Sequence, residues 1–276
     1  MTTKTVNSLS GGKTSSYMAV HYPADIELFA LVCIEAEYCK PKDDGLVKYV
    51  SDKIGRDFIA TAESDKTLLV VRDLEQLIGR EIKWVVGEPF EKVTKRKNGY
   101  FLPNVFNRMC TTEMKMKPIF EYCQKEIGEI VNMQVGFRYD EKERGERNQE
   151  NTHFKTIVGK HSNGKNKWGD VEWRTLSFPL IDNKISHYEV YKWAQTSGID
   201  FPTDSNCVGC FHKPFQQLRK NWDDEPQKMR WFAEMEGRAK GNWKKEMNYL
   251  NVKKIGLQAE FNFGTGSGCQ AGYCTD

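Results

Sequence analysis

The sequence has no long hydrophobic run. Its longest unbroken apolar stretch, Leu28 to Ile34, is seven residues, against the roughly 20 that a helix needs to span a bilayer, so no membrane partner is expected. The segment after Met1 lacks the apolar region of a secretory signal, and a cytoplasmic location is expected. An excess of one charge is also missing: 41 basic and 38 acidic residues leave +3. That is a weak field for a polyanion binder relying on bulk charge. No internal repeat is visible. Two common phosphate-loop patterns are absent as well. A Walker A loop would need glycine where Asn7 stands, five positions before Gly12, and G-x-G-x-x-G does not follow the first strand candidate.

What is present is enough for a full core. A chain of 276 residues buries roughly three quarters of its unfolded surface, as one large domain or two small ones. Seven Trp, fifteen Phe and eleven Tyr exclude disorder as a whole. Eight cysteines in a reducing compartment point to a metal, a cluster or thiol chemistry rather than disulfides.

The hydrophobic pattern alternates strand, loop and helix. Strands are expected over Thr5 to Leu9, Ile26 to Ile34, Asp57 to Ala62, Ile82 to Val86 and Ile130 to Phe137. Helices are expected from Tyr17 onward and over Gly45 to Ile54, Thr67 to Ile78, Lys115 to Ile127 and Tyr188 to Ala194. The continuous apolar run at Ile26 to Ile34 is that of a strand buried on both faces. Such alternation predicts an α/β fold with a doubly wound, mostly parallel, Rossmann-like sheet, binding ligands at the carboxyl ends of its strands. Lys160 to Asp170 is expected to be an exposed polar loop, and the chain beyond Cys210 a Trp-rich helical extension with a mobile glycine-rich tail. Residues 1–200 are assigned to the nucleotide-binding domain and 201–276 to the Cys-containing helical extension.

Ser10-Gly11-Gly12-Lys13-Thr14-Ser15-Ser16 lies at the first strand-to-helix turn. Glycines there let backbone N–H groups approach a phosphate, the helix N-terminus adds partial positive charge, and the hydroxyls and Lys13 add donors. Gly12→Val is expected to block that approach and leave the fold intact. Cys207-Val208-Gly209-Cys210 is a C-x-x-C loop, able to hold one metal ion or cluster with two thiolates. Arg138, in Gly136-Phe137-Arg138-Tyr139-Asp140-Glu141, has the planar fork that suits a phosphate or sulfonate oxyanion. Taken alone, that segment reads better as a surface salt-bridge loop.

These motifs carry a resemblance. The loop is similar to the PP-loop, S-G-G-x-(D/T)-S, of the adenine nucleotide α-hydrolase (ATP pyrophosphatase, PP-loop/HUP type) superfamily. Cys110-Thr111-Thr112-Glu113-Met114-Lys115-Met116-Lys117-Pro118 resembles the C-C-x-x-x-K-x-x-P segment of the adenylylsulfate and phosphoadenylylsulfate (PAPS) reductases, with Thr111 replacing the second cysteine. The Gly136 segment resembles that family's G-x-R-x-D-(E/Q), and Phe178-Pro179-Leu180-Ile181 its P-L stretch. The resemblance runs from about Ser8 to about Pro214.

The resemblance implies ATP or PAPS bound by Ser10, Gly11, Gly12, Lys13, Thr14, Ser15, Ser16, Gly136, Arg138 and Asp140. It implies a 4Fe–4S cluster, with zinc as alternative, on Cys110, Cys207 and Cys210, with Cys269 or Cys274 as the substitute ligand and Cys123 in reserve. Catalytic roles fall on Cys274, Lys115 and Arg138. Three functions follow as expectations: ATP-dependent activation and sulfur transfer; PAPS or adenylylsulfate reduction with Cys274 as nucleophile and a thioredoxin-like reductant; or zinc-stabilised nucleotide binding without catalysis. A nucleic-acid acceptor touched by Lys95-Arg96-Lys97 and the Lys160–Lys167 loop is a weaker expectation.

Overall fold

The structure, a computed structural model, describes residues 3–203 and 205–257. Five strands, β1 (Thr5–Leu9), β2 (Ile26–Leu31), β3 (Ile82–Val86), β4 (Val131–Gln134) and β5 (Arg174–Ser177), make one sheet in the spatial order β3-β2-β1-β4-β5. Every neighbouring pair is parallel. The apolar runs explain why. Leu28 and Ala30 enter a cluster with Val6, Met133 and Val135, while Phe29 and Leu31 enter another with Leu9, Ile82 and Trp84. Alternate residues of one strand thus fill cores on opposite faces.

The second of these cores is covered by α1 (Lys13–His21), α2 (Asp44–Ile54) and α3 (Asp65–Ile78), through Ala19, Leu46, Val50, Leu68, Val71 and Leu74. Sequence sets the ends of these helices. Asp43 accepts from the Gly45 and Leu46 amides, Ser64 accepts from the Lys66 amide, and Gly55 and Gly79 close α2 and α3 with φ of 66° and 61°. The other face is covered by α4 (residues 109–127), which brings Ile119, Phe120 and Cys123. Two stretches of α4, Thr112–Met116 and Cys123–Ile127, are wound as wider π turns.

A third cluster gathers around Trp222, Trp231 and Trp243 of the C-terminal helices α6 (Phe215–Asp224) and α7 (Pro226–Ala239) and the segment that follows. It also takes in Ile34, Ala62 and Met114. The helices after residue 201 therefore share a core with the N-terminal part. Helices recur in the chain from residue 215 to residue 252, and the glycine-rich tail lies outside the described residues.

Several expectations are corrected. The helix after β1 starts at Lys13, four residues before Tyr17, because Thr14, Ser15 and Ser16 form its first turn. The run Ile26 to Ile34 is not one strand: Cys33–Ile34 leaves the sheet and pairs antiparallel with Ala60–Thr61, all that is strand in Asp57 to Ala62. Lys160 to Asp170 is exposed but is not a loop. His153–Lys160 and Asn166–Glu172 form an antiparallel ribbon closed by a short turn. Among the described residues no helix is long and apolar enough to cross a membrane.

Candidate functional site

The turn after β1 is built by its small residues. Gly11 has φ +69°, and a Cβ there would lie 2.5 Å from Thr67 Cγ2 of α3, so both backbone conformation and space require glycine. Ser15 Oγ receives the Ser10 amide at 3.2 Å, sits 3.1 Å from Ser10 Oγ and donates to the Gly12 carbonyl at 3.1 Å. Ser10 and Ser15 thereby brace the turn through their hydroxyls. Ser16 Oγ is buried with no hydrogen-bond partner among the described residues. Lys13 and Thr14 are half-buried at the helix start.

Gly12 has a neighbour that sequence reasoning did not supply. A Cβ there would lie 2.7 Å from Ser205 Oγ, so a valine would collide with the chain just before Cys207. Gly12→Val therefore has to displace the Ser205 side chain locally as well as block the backbone approach.

Arg138 reaches the turn from beyond β4. Its Nη1 donates to Thr14 Oγ1 at 3.3 Å, while Nε and Nη2 donate to Asp140. Asp140 also accepts the His187 amide, at the start of α5 (His187–Thr196), at 2.9 Å. Burial pushes the Asp140 carboxyl up, but the Arg138 guanidinium outweighs this and holds it below the usual aspartate range. Gly136 is buried just past β4. Arg144 instead pairs with Glu141 at 2.9 Å and lies over the Phe137 ring, which makes it a brace for the segment.

Cys110, Cys207 and Cys210 line one small cavity of about 30 Å³, together with Lys115, Asn206 and His212. Lys115 Nζ donates to Glu63 Oε1 at 2.7 Å, and Glu63 is fully buried. Burial pulls the Lys115 ammonium down, yet the adjoining carboxylate and thiols outweigh it and keep it charged. Burial pushes the Cys110 thiol up to about 11 and Cys207 well above the ordinary thiol value.

The three soft donors match a thiophilic metal or an iron–sulfur cluster in kind. In placement they fall short of a closed cage, since among the described residues no group of three or more His, Cys, Asp or Glu is placed to hold a metal ion. Cys123 is not a reserve ligand: it is buried behind the sheet with Ile119 and Phe120. Cys269 and Cys274 lie outside the described residues.

The structure thus brings together Thr14, Arg138 and Asp140 at one place, and Cys110, Cys207, Cys210 and Lys115 at another. The segment Ser205–Asn206–Cys207 links them, touching Gly12 at one end and the thiol cavity at the other. Glu63 and Ser205 were not anticipated. Glu63 stands 52 positions from Lys115, and only the fold makes them partners. Comparison with protein-family models, curated proteins and solved structures found no match to this chain.

Proposed function

We propose that the chain is an ATP-dependent enzyme of sulfur chemistry of the PP-loop type, similar to the PAPS reductases, acting in the cytoplasm. The observation that carries this reading is the reach of Arg138, which follows β4, to Thr14, in the turn after β1. β1 and β4 are neighbours at the centre of the sheet, and the chain runs outward from them in opposite directions to β2 and β3 and to β5. In a doubly wound sheet that is the switch point where nucleotides bind. The strand order and the apolar cores on both faces favour such winding.

In this reading the backbone of Gly11 and Gly12, with Lys13 and Thr14, cradles the β- and γ-phosphates at the start of α1. Arg138 offers its fork to the α-phosphate, and Asp140 and Glu141 hold that fork in place. An acceptor oxygen attacks the α-phosphorus, the bond to pyrophosphate breaks, and the adenylated acceptor then exchanges AMP for sulfur. Lys115, kept cationic by Glu63, stands beside the thiols where a developing negative charge needs a counter-ion.

Cys110, Cys207 and Cys210, with Cys269 as the fourth candidate, would hold a 4Fe–4S cluster or zinc, the first supplying a sulfur-binding metal site and the second a structural clamp. The sulfur atom comes from a sulfur donor, and where that donor is a persulfide a thioredoxin-like dithiol supplies the two electrons that release it.

The test is to incubate anaerobically purified protein with ATP and, separately, with PAPS plus reduced thioredoxin, and to chromatograph the nucleotides. AMP and pyrophosphate from ATP, with PAPS untouched, support the reading. Adenosine bisphosphate and sulfite from PAPS would replace it with the reductase reading and put Cys274 at the centre. Release of neither set of products would leave a nucleotide-binding protein without catalysis.

A further inference from the structure

The ribbon formed by His153–Lys160 and Asn166–Glu172 is absorbed by none of the chemistry above. Its base is tied to the protein. Phe154 is buried, Val171 packs against the same cluster, and opposite charges face each other in the pair Lys155↔Asp170. Its outer half is different. Residues 157–168 contain Lys160, Lys165 and Lys167 and no acidic residue, and these lysines make no salt bridge among the described residues.

The register slips between Lys167 and Trp168, and the slip sets Trp168 directly across from Ile157. A bulge of this kind re-aims side chains out of the regular pleat. Trp168 is 59% exposed, and Ile157 and Val158 are about half exposed. An indole this open, on an arm whose cations have no internal counter-charge, is unusual for a surface with no partner.

We infer that this ribbon is a binding arm for single-stranded nucleic acid. The lysines supply contacts to backbone phosphates, and Trp168, with Ile157 beside it, supplies a flat apolar face on which an unstacked base lies. The combination selects for this ligand: an anionic lipid surface uses the charges but not a single base-sized platform, and duplexes keep their bases stacked. The arm is two strands wide, and its charge is concentrated at the outer end. The inference does not depend on the nucleotide chemistry proposed above.

Fluorescence anisotropy on the full chain, with short fluorescein-labelled RNA and DNA single strands and the matching duplexes, reads the binding directly. The expected result is tighter binding of one or both single strands than of duplex. Trp168→Ala should weaken it on the order of tenfold without changing its salt dependence. The combined variant Lys160→Gln, Lys165→Gln, Lys167→Gln should lower the slope of log affinity against log salt by about 2. All four side chains are exposed, so circular dichroism of both variants should match the parent.

Absence of binding at low salt, or binding that neither variant alters, overturns the inference. So does capture by phosphatidylserine vesicles with no oligonucleotide binding, or self-association by light scattering that Trp168→Ala abolishes. The first of these would assign the arm to a membrane surface and the second to a second copy of the chain.

Discussion

Arg138 Nη1 lies 3.3 Å from both Thr14 Oγ1 and Glu141 Oε2, while Nε and Nη2 of the same guanidinium are held by Asp140. One arginine thus joins the segment after β4 to the first turn of α1, and its acidic neighbours aim it. A lysine, whose donors all sit on one point-like ammonium nitrogen, lacks the planar fork that holds both directions in one fixed geometry.

The Asp140 clamp carries a pH signature. Its carboxyl pKa is depressed in the folded chain, so its contribution is present above the unfolded-state value and is lost as pH falls through the folded one. The stability difference between the parent and Asp140→Asn should be constant near neutral pH and shrink below the ordinary aspartate value of 3.8. Urea unfolding at a series of pH values measures it. A difference that grows on acidification would mean that Asp140 is not paired with Arg138.

Gly11→Ala combines a left-handed backbone with the contact to Thr67 Cγ2. Its cost should be about 2–4 kcal/mol, from conformational strain plus overpacking. Adding Thr67→Ser removes the offending methyl and should return about 1 kcal/mol of this, leaving the backbone strain. Equal stability of the single and double variants in chemical denaturation would show that the steric contact is not the cause.

Glu63 and Lys115 form a buried ion pair, with side-chain exposures of 0% and 12%. Removing either partner alone, as Glu63→Gln or Lys115→Met, strands a charge and should destabilise by about 3–5 kcal/mol, whereas the double replacement should be much milder. A double-mutant cycle in guanidinium decides this. Additive effects would mean that the pair is not coupled.

Metal bound by the thiol cavity should depend on the C-x-x-C loop. Cys207→Ser is expected to lower the iron or zinc content of anaerobically purified protein, while Cys123→Ser, in the core behind the sheet, should not. Elemental analysis of the two variants reads this, and equal metal content in both would remove Cys207 from the site.

Much of the architecture was legible because it rests on local signals. The strands at Ile26–Leu31 and Ile82–Val86 are largely apolar segments bounded by polar turns. α2 and α3 are announced by Asp43 and Ser64 at one end and Gly55 and Gly79 at the other. β5 was missed because it is short and starts with Arg174, which reads as surface. In the fold Arg174 is fully buried, its Nε donating to the Asn151 carbonyl and its guanidinium lying against Met133 Sδ. The ribbon was missed because only Phe154 and Val171 at its base meet the core, and its outer part, rich in Lys, Asn and Gly, carries no sustained apolar alternation.

Of the candidate site, the residue types and their order along the chain were readable, and their convergence was not. Cys110 and Cys207 are far apart in sequence and meet only because Val32, Ile34 and Ala62 pack with α4 and the Cys207 loop in one cluster. Glu63 and Ser205 carry no motif, so only three-dimensional proximity marks them. Cys269 and Cys274 fall outside the described residues.

The most direct test of the account is calorimetric titration of the chain with α,β-methylene-ATP, which cannot be cleaved between the α- and β-phosphates, alongside Arg138→Ala and Lys13→Ala. The account predicts saturable one-to-one binding by the parent and affinity at least tenfold weaker in each variant, in keeping with charge-assisted hydrogen bonds of about 1.5–3 kcal/mol. No binding by the parent, or equal affinity in all three proteins, would contradict the claim that the turn after β1 and Arg138 together form a nucleotide site.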